Sequence, residues 1–236
     1  MVAIAGKTVR EVALEVPSAT RIFEQLGIDY CCGGLKPLEE ACASANISVD
    51  DVVRKLEDAE RQAAQSANGK NWQQTSLTDL IEHIVNTHHT YVKQELPRLE
   101  QLLAKVCGVH GQNHPELLQI RETFADLDQE LTGHLMKEEQ ILFPYITEME
   151  QGHAGHSCFG TVQNPIRMMM FEHDNAGVAL RSMRAASSNY QAPPDACISY
   201  QTLYGALQAF EADLHQHIHL ENNILFPRAI AMEDGN

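Results

Sequence analysis

His134-Leu-Met-Lys-Glu138-Glu-Gln-Ile-Leu-Phe-Pro144 returns eighty-three residues later as His217-Ile-His-Leu-Glu221-Asn-Asn-Ile-Leu-Phe-Pro227. Both stretches read H-x-x-x-E-x-x-I-L-F-P. Residues four apart on a helix share one face, one turn from each other. Each copy therefore presents an imidazole together with a carboxylate, and two copies suggest two halves of one metal site. The repeat reaches upstream, because His89 precedes His134 by 45 residues and His173 precedes His217 by 44. Four imidazoles and two carboxylates exceed what one tetrahedral zinc takes. The set suits two six-coordinate ions bridged by the two glutamates.

The repeat sits in a long helical region. From Leu77 the periodicity predicts four helices near 77–107, 114–150, 162–189 and 195–232. Breaks fall at 108–113, at the Gly/His/Ser-rich 151–161, and at Pro193-Pro194. Short connections between long helices imply an antiparallel up-down bundle. Pro97 is expected to kink the first helix, and Pro144 and Pro227 to bend or end theirs.

The apolar stripes sort the histidines. His89 continues Ile81, Val85, Val92, Leu96, Leu99 and Leu103. His134 and Glu138 continue Leu127, Leu131, Ile141 and Tyr145. His173 lies with Ile166, Met169, Gly177 and Leu180. His217 and Glu221 lie with Leu203, Leu207, Phe210, Leu214 and Ile224. His83, His88, His215 and His219 fall off these stripes, and His88 and His219 are read as surface groups or as neighbours of the ligands. A lone buried histidine is more often a hydrogen-bonded core residue than a ligand. Two buried glutamates with no Lys or Arg on their stripes shift that balance, since an unpaired buried charge is costly. Metal cations are the expected compensation. Histidine-rich ligation favours iron, with zinc or manganese left open. The ligand set contains no Glu-x-x-His pair of the ferritin-like di-iron kind.

Ahead of the bundle, residues 1–62 read as a small helical domain. Pro17-Ser18 starts a helix that Gly27 ends. Cys31-Cys32-Gly33-Gly34 forms a turn, and further helices run near Pro37–Ala45 and from Asp50. The unit is short for a core of its own, which suggests a homodimer or support from the second domain. Residues 63–76 are polar and read as a linker with Trp72 anchoring its end; the bundle takes 77–236.

The bulk numbers exclude several classes. The chain has 236 residues, 44% of them hydrophobic, with 17 basic against 32 acidic and a formal net charge of -15. That balance argues against nucleic acid or an anionic membrane surface as partner. No stretch approaches the roughly 18 apolar residues of a membrane span. The N-terminus carries no basic region followed by an apolar run, and the six cysteines are expected to remain thiols. The expected location is the cytoplasm. Cys42, Cys107 and Cys197 read as core or helix residues. His153, His156 and Cys158 offer an extra metal-binding loop, although a solvated connection is the plainer reading.

The bundle residues resemble haemerythrin-like di-iron proteins. The chain as a whole, with Asp29-Tyr-Cys-Cys-Gly-Gly34 added, resembles the repair of iron centres family of iron–sulfur cluster repair di-iron proteins. That resemblance implies two iron ions held by His89, His134, Glu138, His173, His217 and Glu221. Glu138 and Glu221 would bridge them with an oxo or hydroxo group, leaving a labile position on each. It implies restoration of iron–sulfur clusters after oxidative or nitrosative damage, with damaged iron–sulfur proteins as partners and iron donation as the route. An iron donor is expected rather than a turnover enzyme. The alternative is a nitric oxide or oxygen binding or reducing protein, a sensor or reductase. Cys31 and Cys32 are expected as redox or iron-handling thiols, against a purely structural turn; adjacent cysteines rarely satisfy disulfide geometry.

Overall fold

The computed structural model describes residues 4, 6–16, 18–63, 71–153 and 157–235. Pro17, His156 and half of the expected linker lie outside them. The described residues are helical, and Thr8 and Pro37 form an isolated bridge.

The N-terminal unit contains α1 (Val9–Glu15), α2 (Ala19–Leu26), α3 (Leu38–Ser44) and α4 (Val49–Ala63). Helix α1 was not anticipated. Its signal is the capping box Thr8-x-x-Glu11, in which Thr8 accepts from the Glu11 N–H and Glu11 accepts from the Thr8 N–H. Gly27 closes α2 in the left-handed region at φ 68°, where a Cβ would be strained. Val9, Val12, Val16, Phe23, Leu38, Val52 and Leu56 make a core of their own.

The bundle comprises α5 (Leu77–Ile84), π1 (Val85–His89) and α6 (Thr90–His110); α7 (Glu116–Lys137), π2 (Glu138–Leu142) and α8 (Phe143–Glu150); α9 (Gln163–Ala186); and α10 (Ile198–Leu220), π3 (Glu221–Leu225) and α11 (Phe226–Asp234). Helix α6 packs on α7 and α10, and α9 packs on the same two. One core lies between these four helices, and a second lies where α5, α8 and α11 meet the start of α9.

Two carboxylates tie helix ends together. Glu150, at the end of α8, accepts from the Leu77 and Thr78 N–H groups (2.6 and 2.8 Å) and the Thr78 hydroxyl (2.7 Å) at the start of α5. Glu233, near the end of α11, accepts from the Val162 N–H (2.9 Å) at the start of α9. Glu150 and Glu233 are again eighty-three residues apart. The duplication therefore includes the caps that set helix directions, and each places a negative charge against a helix N-terminus.

The prolines do not end their helices. Pro97 sits inside α6 without ending it. Pro144 and Pro227 lie in the first turn of α8 and α11, just after a π segment, and neither helix stops there. In each π turn the ladder shifts to i−5, with the Phe143 N–H reaching the Glu138 carbonyl and the Phe226 N–H the Glu221 carbonyl. The wider turn accommodates a ring that would clash in a regular α-helix. Pro227 also has no N–H for the carbonyl of Asn223, four residues earlier. Arg10 of the N-terminal unit donates to that carbonyl at 3.1 Å.

The π segments also correct the stripe. The extra residue rotates the helix, so Leu142, Phe143 and Ile146 are buried while Ile141 is half exposed, and Val85 gives way to Ile84. His88 and His219 are buried, contrary to a surface placement. His88 comes inward in π1. His219 is covered because Tyr30 packs edge-on against it at 5.5 Å. From His217 to Phe226 every residue is buried, since the N-terminal unit covers the face of α10 that the rest of the bundle leaves open. Cys197 is exposed at the N-cap of α10 rather than in a core. Trp72 stacks on His83 at 4.3 Å, and its carbonyl accepts from Arg228.

Burial opposes a charged Glu150 carboxyl, but the Thr78 hydroxyl and the two N–H groups outweigh it and hold the group below its ordinary range. A depressed folded-state value contributes stability that is present above the unfolded value and lost as pH falls through the folded one. Glu150→Ala should therefore cost about 1 kcal/mol at neutral pH. The deficit should fade below pH 4 in denaturant titrations; a deficit that persists unchanged there would remove the capping explanation.

Candidate metal centre

The six candidate ligands stand on four helices, three of which carry a π turn beside them. His89 closes π1, Glu138 opens π2, and Glu221 opens π3. His134, His173 and His217 lie in regular α-helix. Single π turns occur often at functional sites because the inserted residue re-aims a side chain. Here the turns bring six side chains to one buried place, and Glu138, Glu221, His89 and His217 have no exposure at all.

The six residues form two groups, His89/Glu138/His217/Glu221 and His134/Glu138/His173/Glu221, each with its ligand atoms within 4.8 Å of one another. Both groups share both glutamates. Glu221 offers Oε1 to the first (2.9 Å from His217 Nε2) and Oε2 to the second (3.1 Å from His173 Nε2). Glu138 Oε2 lies 3.5 Å from His89 Nε2 and 3.3 Å from His134 Nε2.

The hydrogen bonds fit a cation better than a closed polar core. The Nε2 atoms of His89 and His217 face each other at 3.1 Å, and those of His134 and His173 at 3.0 Å. Both oxygens of Glu138 are buried without a hydrogen-bond partner. A satisfied core leaves no such orphans. Three imidazoles have their outer nitrogen engaged, with His89 Nδ1 at 2.8 Å from Glu139, His134 Nδ1 at 2.8 Å from Glu172, and His173 Nδ1 at 2.8 Å from Asn222 Oδ1. An Nδ1–H donated outward leaves the Nε2 lone pair for a metal. Lys93 and Lys137 anchor Glu139 and Glu172 in turn. Glu139, Glu172 and Asn222 were missed on the sequence because they lie beside the ligands in the chain and off the apolar stripes.

The charges agree. Burial opposes a charged His134, yet Glu138, Glu172 and Glu221 lift it to about 10. Burial would raise Glu221, but His217, His173 and His89 hold it well below the carboxylate range. Without a cation, imidazolium protons balance the carboxylates.

Cys31 and Cys32 lie against this centre. Asp29 Oδ1 accepts from the Cys31, Cys32 and Gly33 N–H groups (3.2, 3.0 and 3.0 Å), shaping the turn. Cys32 Sγ is 3.6 Å from the His173 carbonyl oxygen, and Asn222 Nδ2 is 3.5 Å from the Cys31 carbonyl oxygen. Gly177 faces Cys32, and a Cβ there would stand in ordinary contact with Cys32 Sγ at 3.6 Å. The two sulfurs are 3.7 Å apart as free thiols. The hydrogen bond to Cys32 and burial push the Cys31 thiol well up, so Cys32, half buried, is the accessible member. Asp29, Cys31 and Cys32 form the third metal-capable group among the described residues. Neither His153 nor Cys158, both exposed, belongs to such a group; His156 lies outside the described residues.

Known proteins share both parts. Residues 80–229 match the Hemerythrin HHE cation binding domain, and residues 5–60 match a domain of unknown function (DUF542). A probable iron-sulfur cluster repair protein of Haemophilus influenzae is 37% identical over 226 residues, 96% of this chain and 97% of that one. The iron-sulfur cluster repair protein YtfE of Salmonella schwarzengrund is 37% identical over 223 residues, 94% and 96% of the two chains.

Because ligand nitrogens must be unprotonated, a metal displaces the His134 proton. Metal affinity should rise with pH through neutrality towards pH 10 and fall in acid, with proton release seen by calorimetry in buffers of different ionisation enthalpy. Uptake without proton release at pH 7 would contradict this charge balance. The conclusion from sequence, fold and relatives is that this chain belongs to the iron–sulfur cluster repair proteins, a family joining a Cys-Cys helical domain to a haemerythrin-like cation-binding bundle.

Proposed function

We propose that the protein holds two iron ions between its paired imidazoles and restores damaged iron–sulfur clusters by giving iron to them. The observation that carries this reading is the sharing of Glu138 and Glu221 by two donor groups, one of which the Cys31-Cys32 turn touches at His173. The donors His89 and His217 would hold one ion, His134 and His173 the other, with both carboxylates bridging. Imidazole-rich ligation with carboxylate suits iron by ligand type. When bound, the pair supplies Lewis acidity and one-electron redox capacity. The protein's part is to exclude water from the centre, fix the imidazole tautomers from outside, and present thiols at its edge.

Cys32 is the group through which the ion held by His134 and His173 would pass to a client. It is half buried, and Asp29 and Cys31 stand beside it as further donors. Soft thiolate ligands match the sulfur environment of a damaged cluster. The relatives named as iron-sulfur cluster repair proteins support this role and damaged iron–sulfur proteins as partners. A stoichiometric donor needs no turnover. No described helix is long and apolar enough to cross a membrane, and six free thiols suit a reducing compartment; both support work in the cytoplasm.

Each ion takes four donors from the chain, which leaves room for a small ligand on each. Nitric oxide or oxygen binding is thus a second reading that the same geometry favours.

The test loads the full chain with iron-57 and mixes it with a cluster enzyme damaged by nitric oxide. Label should appear in the repaired enzyme, and Glu221→Leu should transfer none. Repair by Glu221→Leu at the wild-type rate would end the donation reading. Wild-type spectra unchanged by nitric oxide would end the second reading.

A further inference from the structure

The two halves of the centre share their inner ligands but differ in what stands behind them. The repeat makes the comparison residue by residue. Behind His89 stands Glu139; eighty-three residues on, Asn222 stands behind His173. Behind His134 stands Glu172, the residue just before His173. The matching residue before His89 is His88. It does not support His217 as Glu172 supports His134. The His88 ring lies parallel to the His217 ring, 5.8 Å away with 2° between the planes, and its Nδ1 is 3.0 Å from Asp213. His217 Nδ1 is consequently buried with no hydrogen-bond partner, alone among the four ligand imidazoles.

That difference has a direct consequence for a bound ion. A neutral imidazole that gives Nε2 to a metal must carry its proton on Nδ1. At His89, His134 and His173 that N–H meets an oxygen. At His217 it meets nothing, and a buried donor left unmade is costly. Once the ion leaves, His217 can shift its proton to Nε2 and donate to Glu221 Oε1, 2.9 Å away. The free state of that imidazole is thus satisfied by the vacating of the site.

We infer that the two metal positions are inequivalent: the ion between His89 and His217 leaves first, and Glu172 and Asn222 are positioning residues that retain the ion between His134 and His173. The inference rests on the two-ion reading above and says which ion is released first. The retained ion is also the one beside the Cys31-Cys32 turn, through Asn222 and the His173 carbonyl. Its departure would therefore be coupled to that turn, whereas the first ion's would not.

The experiment loads the full chain anaerobically with two equivalents of ferrous iron, adds excess colorimetric ferrous chelator, and follows release by stopped flow. Two phases of one equivalent each are expected, at least about tenfold apart. Outer partners of metal-bound histidines are worth about 10–100-fold in affinity. Glu172→Ala should accelerate the slow phase by about that factor and leave the fast phase alone, and Glu172→Gln, which keeps an acceptor, should restore most of the retention. Asn222→Ala carries the same expectation as Glu172→Ala through His173. Two equivalents leaving wild type in a single phase would overturn the inference while leaving the two-ion reading intact, and so would Glu172→Ala accelerating only the fast phase. Uptake of fewer than two equivalents would overturn both.

Discussion

Two carboxylates at zero exposure, Glu138 and Glu221, are the constraint on which the rest of the structure depends. A buried carboxylate without compensation costs more than a domain's margin of stability allows. The chain surrounds these two with four imidazoles. Imidazole compensates adaptably, because it is positive when protonated and a neutral ligand when a cation arrives. Lysine or arginine could balance the charge but would close the site. The donor set therefore keeps the metal-free fold viable and the metal-bound state attainable, using the same six side chains.

Holding those six in register demands departures from regular helix. A histidine and a glutamate four apart need only α geometry. Bringing a second such pair to face the first, and His89 to meet His217, requires the local rotation that π1, π2 and π3 supply. Each departure disturbs the ladder, and the sequence absorbs the disturbance where it arises. Pro144 and Pro227 lie just after π turns, whose wider ladder accommodates their rings. Arg10 then takes up the carbonyl that Pro227 leaves without its partner. A defect in the bundle has thereby become an attachment point for the N-terminal unit, which joins metal site and docking surface in one segment, 221–227. Within one chain the short N-terminal unit has apolar packing of its own and rests on α10.

The sequence was legible where helices are regular and misleading where they are not. On α9, which has no π turn, Ile166, Met169, His173, Gly177 and Leu180 are all buried as a 3.6-residue period requires. On the π-bearing helices the candidate ligands still come together, because i,i+4 spacing and the duplicated motif do not depend on phase. The apolar residues beyond them slipped: Ile141 faces out, and His88 comes in. No local signal distinguishes a π turn from an α turn in Glu-Glu-Gln-Ile-Leu. His219 was misplaced for another reason, since periodicity assumes one buried face and cannot see that a second domain covers the other.

Asn222 shows how the two domains became parts of one device. In the first half of the repeat its place is taken by Glu139, which can only accept and faces solvent with Lys93. An amide has both a carbonyl and an NH2 group. Asn222 therefore accepts from His173 Nδ1 with its oxygen and points its nitrogen at the Cys31 carbonyl. A carboxylate there would repel that carbonyl and, being buried under the N-terminal unit, would lack the lysine that steadies Glu139. Covering this face of the bundle with the Cys-Cys turn thus required the exchange of glutamate for asparagine. The price of that exchange is a weaker acceptor behind His173, offset by a direct mechanical link between that candidate ligand and the Cys-Cys turn.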